Sequence, residues 1–225
     1  MLLACWSVKG GSGTTVVAAG LALVLARRRP DGVLLTDLAG DLPAVFGLPP
    51  DTLSGVSDWI AAGADVPPDA RRRLEVDVDR GVRLLPRGSL RGELQATKAD
   101  ADRLLRSLRD GTPAGVEGGP TVVVDAGRIE PASLAEAVVA GATHSLLVVR
   151  PCYLALRRAV AAPLRPTGVV LVDEPGRALS PGDVEDALGV PVTAVVPQRP
   201  EIARAVDAGL LGDRVPRVLA SALRR

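Results

Sequence analysis

The residues Val8-Lys9-Gly10-Gly11-Ser12-Gly13-Thr14-Thr15 lie between a short apolar run and a long Ala/Val/Leu-rich one. Glycines at such a junction let backbone N–H groups turn inward around a phosphate, and a helix that starts there points its positive end at the same place. The standard phosphate-loop pattern is G-x-x-x-x-G-K-[ST]. Gly13 fits its final glycine and Thr15 its magnesium-binding hydroxyl, whereas Thr14 stands where the pattern has lysine. Two further runs end in a carboxylate: Val33-Leu34-Leu35-Thr36-Asp37 and Thr121-Val122-Val123-Val124-Asp125. An acid at such a strand end can orient water or hold a magnesium shell, or simply cap a loop.

Taken together, these segments resemble the MinD/ParA superfamily, whose deviant Walker A motif reads K-G-G-x-G-K-[ST]. The resemblance places Lys9, one of only two lysines in an arginine-dominated chain, on the signature lysine that reaches across a dimer to the partner's ATP. It makes Gly10, Gly11, Ser12, Gly13, Thr14 and Thr15 the phosphate cradle. It also gives Asp37 a part in water activation and the magnesium shell, and Asp125 the Walker B position, where its carboxylate holds a magnesium-bound water. Ala39 replaces the second acid of the family's D-x-D. Asp173, at the end of Val169-Val170-Leu171-Val172, falls where the family recognises adenine, usually with Asn; an aspartate there accepts from the amino group but cannot donate. The segment Val192 to Pro197, followed by Glu201 to Gly209, completes a resemblance covering nearly the whole chain. ATP and Mg²⁺ are the implied cofactors, and a homodimer around nucleotide is the implied assembly.

These motifs need a scaffold, and the hydrophobic pattern predicts one. Strands are expected at Leu2–Val8, Val33–Asp37, Val82–Leu85, Thr121–Asp125, Ser145–Val149, Gly168–Val172 and Val192–Val196. Helices are expected at Thr14–Arg29, Ser57–Ala62, Leu94–Leu108, Ser133–Ala140, Tyr153–Ala162, Asp183–Leu188, Ile202–Ala208 and Val215–Leu223. Continuous apolar strands alternating with helices predict a doubly wound, mostly parallel sheet covered on both faces. The 225 residues read as one domain, with the Gly/Pro-rich stretch 111–120 as a loop.

Composition narrows the function. A net charge of +1 gives no global attraction to nucleic acid or anionic membrane, and four aromatic residues are too few for base-stacking platforms. Two cysteines and one histidine make neither a disulfide framework nor a zinc box. Arg27–Arg29 and Arg71–Arg73 read as solvated faces. The segment from Val215 carries an apolar helical face, which could lie on a membrane but is short enough to dock on the domain itself.

An ammonium at position 14 would touch the β- and γ-phosphates, so a threonine there predicts weaker triphosphate contact and slow turnover. The expected role is a cytoplasmic, nucleotide-dependent dimerising factor that localises a pilus, secretion or division machine and hydrolyses ATP weakly or not at all. Degenerate loops of this kind resemble the TadZ/CpaE branch. A working ATPase of chromosome partitioning or septum placement and a nucleotide-free scaffold stay open beside it.

Overall fold

A computed structural model describes residues 1–49, 53–67, 69–79, 81–90, 96–110, 121–213 and 215–224. The first strand, β1 (Leu2–Ser7), is buried along its whole length. Leu2, Ala4 and Trp6 point into one apolar layer while Leu3 and Cys5 point into the other. A strand apolar on both faces can only lie inside a covered sheet. The helix α1 (Thr14–Ala26) follows and is buried almost continuously from Val17 to Val24, so it too is packed from several sides.

The remaining strands are β2 (Val33–Asp37), β3 (Val76–Asp79), β4 (Val82–Leu85), β5 (Thr121–Arg128), β6 (His144–Val149), β7 (Gly168–Asp173) and β8 (Val192–Pro197). They form one eight-stranded sheet in the order β3-β4-β2-β5-β1-β6-β7-β8. Every pairing is parallel except β3 with β4. The expected doubly wound sheet is therefore present, with one strand added. β3 is the antiparallel edge, and its Val-Asp-Val-Asp alternation suits a strand with one face open to water.

Helices α2 (Leu42–Val45), α3 (Val56–Ala61), α4 (Lys98–Arg109), α5 (Leu134–Ala140), α6 (Tyr153–Val160), α7 (Pro181–Leu188), α8 (Pro200–Asp207) and α9 (Arg217–Ala222) cover the two faces. The start of the helix expected from Leu94, and the loop expected at 111–120, fall outside the described residues. α9 docks on α1: a Cβ built on Gly20 would lie 2.8 Å from Leu223 Cδ1 and 3.1 Å from Leu219 Cδ2. The apolar face of the C-terminal segment is thus spent on the core.

Two backbone approaches need glycine. Gly47 after α2 and Gly209 after α8 meet so closely that a Cβ on Gly209 would sit 2.6 Å from Gly47 Cα, and both have left-handed φ. One expectation about charge is corrected. Arg71 is not solvated but 3% exposed, bonded to Glu75 at 2.5 Å and donating from Nε to Ser107 Oγ at 2.8 Å. Glu75 also takes Arg83, so the buried cation is held in a compensated network. Arg73, paired with Asp69 at the surface, does match the expectation.

Candidate functional site

The loop between β1 and α1 is tied down by its own short side chains. Ser12 Oγ donates to the Lys9 carbonyl at 2.7 Å, and Ser7 Oγ lies within reach of the carbonyls of Lys9 (3.2 Å) and Gly127 (3.3 Å). Gly11 and Gly13 adopt φ of 72° and 89°, a region closed to most side chains. Gly13 is the N-cap of α1 and offers no side-chain acceptor to its first turn. A Cβ built on Gly10 or Gly11 would meet nothing within 4 Å, because both border open space. That space is a cleft of about 1120 Å³, lined by Gly10 to Thr15 and by residues following β2, β4 and β5. The cleft lies off the C-terminal ends of the parallel strands, where ligands bind in open α/β sheets.

The two predicted acids stand side by side. Asp37 and Asp125 are register partners on β2 and β5, and both are fully buried behind the cleft-lining residues Leu38 and Ala126. Asp37 is held by backbone: Oδ1 accepts from the Ala39 and Gly40 amides at 2.9 and 2.7 Å, and Oδ2 from Leu42 at 3.1 Å. Its carboxylate therefore shapes the loop that follows β2. Asp125 is different. Oδ1 accepts from the Gly127 amide at 3.0 Å, but buried Oδ2 has no hydrogen-bond partner.

Burial pushes the Asp37 carboxyl up to about 7, aided by the charge of Asp125 and opposed by the Gly40, Leu42 and Ala39 amides. Burial likewise raises Asp125 to about 6; the nearby Thr15 hydroxyl and the Gly127 amide oppose the rise, and Asp41 adds to it. Cys5, in register with Asp125, has its thiol pushed far up by burial and by that carboxylate, which makes it an inert core residue.

An orphaned carboxylate oxygen beside a threonine hydroxyl at a phosphate loop suits Mg²⁺, a hard cation that prefers oxygen and keeps several ligands from phosphate and water. Among the described residues, no cluster of three or more His, Cys, Asp or Glu could hold a metal alone. The donor set therefore fits an ion brought in with a phosphate chain.

The structure does not gather every residue read from the sequence. Gly10 to Thr15 line the cleft, while Lys9 and Asp173 do not. Lys9 is half-buried and contributes its carbonyl to the loop. Asp173 is exposed at the end of β7, next to Val172, whose Cγ2 lies 3.6 Å from a Cβ built on Gly13. Conversely, sequence reasoning passed over Asp41, Arg87 and Arg128, all of which line the cleft. Asp41 and Arg87 lie in the segments after β2 and β4, and Arg128 closes β5. Only the sheet order brings them together.

This sheet, with a glycine loop between its β1 and α1 and a buried acid within β5, defines a P-loop protein of the MinD/ParA class. Three solved structures share the fold. MinD in the MinC:MinD cell division complex of Aquifex aeolicus has a TM-score of 0.77 at 20% identity, covering 100% of this chain and 94% of that one. The septum site-determining protein MinD of Pyrococcus horikoshii, complexed with Mg-ADP, has a TM-score of 0.74 at 22% identity, covering 99% and 93%. A ParA family ATPase of Chlorobium tepidum has a TM-score of 0.74 at 17% identity, covering 99% and 96%. The family model of the cellulose biosynthesis protein BcsQ matches residues 1–175, and the chain belongs to that family. No curated protein matches it in sequence.

Proposed function

We propose that this chain, acting as a single domain, is an ATP-dependent localisation factor that dimerises around nucleotide and recruits a partner machine. The observation that carries the reading is the cleft itself: an uncapped helix N-terminus and two open glycines at one wall, with an orphaned carboxylate oxygen behind it. Backbone amides of Gly11 to Thr15 would hold the phosphates, and Thr15 with Asp125 would hold Mg²⁺. Bound there, Mg²⁺ supplies charge neutralisation between the phosphates. Asp173 would accept from the adenine amino group, and Lys9, which does not line its own cleft, is available to reach a second copy's nucleotide.

Slow or absent hydrolysis fits two features. Thr14 brings no charge to the departing phosphate, and Asp37 is fully buried with three backbone amides already on its carboxylate. The family name points toward cellulose biosynthesis, so a polysaccharide-synthesising machine is the partner proposed here in preference to a pilus or division apparatus. Among the described residues no helix is long and apolar enough to cross a membrane, and the apolar face of α9 is packed on α1.

Titrating the purified protein with ATP and ADP in Mg²⁺ by calorimetry, with light scattering on the same samples, tests the reading. ATP binding accompanied by a monomer-to-dimer shift, with phosphate release too slow to sustain turnover, is the expected result. No heat of binding at millimolar nucleotide would sink it in favour of a nucleotide-free scaffold.

A further inference from the structure

Beside the acids Asp41, Glu130 and Asp207, the cleft is lined by two arginines that the phosphate-loop motif does not contain. In the sheet β4 and β5 lie on either side of β2. Arg87, just beyond β4, and Arg128, the last residue of β5, both line the cleft that Gly10 to Thr15 also line. Arg87 borders the loop that Asp37 organises, its Cδ 3.3 Å from a Cβ built on Gly40, and Gly127, the residue before Arg128, meets the same loop: a Cβ on Gly127 would lie 2.8 Å from that of Ala39. Among the described cleft-lining residues these two arginines are the cations, since neither Lys9 nor Lys98 lines it.

Each has a contact with a group that a phosphate could replace. Arg87 Nη1 donates to the Leu90 carbonyl at 3.0 Å, and Arg128 pairs with Glu130, which also lines the cleft. The Arg128 and Glu130 side chains are 53% and 42% exposed, so that ion pair is a weak competitor for the guanidinium. A guanidinium presents a planar fork of donors matched to phosphate oxygens, and such charge-assisted contacts are about twice as strong as neutral ones.

We propose that Arg87 and Arg128 together grip the terminal phosphates of a nucleoside triphosphate, supplying from two strand ends the charge that an ammonium at position 14 would have supplied from the loop. This inference rests on the reading of the cleft as a nucleotide site. It makes the protein selective for the length of the phosphate chain: the loop amides meet any nucleotide's first phosphate, while the arginines meet only what extends past it.

Calorimetry with ATP, ADP and AMP in Mg²⁺ on the wild type, Arg87→Ala, Arg128→Ala, the double variant and both Arg→Lys variants tests it. Each alanine variant should lose about 10-fold in ATP affinity and the double variant about 100-fold, at roughly the energy of one charged hydrogen bond each. AMP affinity should stay within about twofold, and the lysine variants should recover part of the loss. Equal losses for ATP and AMP, or an unchanged ATP affinity in the double variant, would overturn the proposal while leaving the nucleotide site standing. A wild type that binds none of the three removes the site and this proposal together.

Discussion

Helices α1 and α7 begin in opposite ways. The α7 N-terminus closes on itself: Ser180 Oγ accepts from the Asp183 amide at 3.2 Å, and Asp183 Oδ2 takes both the Ser180 amide and hydroxyl at 2.7 Å. Thr97 and Asp100 repeat the arrangement at α4. Each box satisfies orphan amides and sets an acid against the positive end of the helix. α1 starts from Gly13 with no side-chain cap and no acid in its first turn. The difference teaches where this chain gives up local stability. Capping costs only a serine or threonine and an acid; α1 omits it at the wall of the cleft, and α2, α6, α8 and α9 also start without a side-chain cap.

Breaking the α1 terminus should have the largest effect. Gly13→Ala forces a Cβ into φ of 89°, costing about 1–2 kcal/mol of stability and at least about 100-fold in ATP affinity as the loop amides turn away. Gly189→Ala, at the left-handed C-cap of α7 (φ 67°), should cost similar stability and leave ATP affinity untouched. Thermal melts and calorimetry on the pair separate strain from binding. If both variants bind ATP equally well, the contrast between the termini has no functional content.

Next in size is Asp125→Asn, which should weaken Mg²⁺-dependent ATP binding by about 10- to 100-fold yet stabilise the ligand-free protein above neutrality. The sign follows from the raised values. Asp37 and Asp125 titrate near 7 and 6 in the fold against an ordinary 3.8, so the folded state holds protons that the unfolded chain has lost between about pH 4 and 7. The wild-type melting temperature should therefore fall as pH rises through that window, and the variant should fall less. A wild-type melt flat from pH 4 to 7 would contradict the buried-acid account.

Thr14→Lys sharpens the comparison by returning a charge to the first residue of α1. ATP affinity should rise by about 10-fold and phosphate release should become measurable. The smallest effect belongs to Ser180→Ala, which removes the α7 box for about 1 kcal/mol with nucleotide affinity unchanged.

Much of this was readable from residue patterns because local and global preferences agree. The apolar runs that end in Asp37 and Asp125 are strands, and Lys9 to Gly13 do form the turn between β1 and α1. The sequence reading stretched α1 to Arg29, whereas it ends at Ala26, with Arg28 and Arg29 bonding back in a tighter turn. It passed over β3, whose alternating valines and aspartates carry too little hydrophobicity to stand out beside buried strands. Asp41, Arg87 and Arg128 escaped for another reason. Their shared cleft is a product of strand order, and no local spacing encodes that order.

The Gly47–Gly209 contact carries a consequence for the history of this chain. Neither position can accept a side chain while the other backbone stays where it is, so each locks the other against drift. Val206 and Asp207, just upstream of Gly209, line the cleft, as do Ala44 and Val45 just upstream of Gly47. A lineage that lost either glycine would have to part α2 from α8 and reopen that side of the cleft. The two positions are thus expected to be kept or abandoned together as the family diverges, independently of whatever happens in the glycine loop.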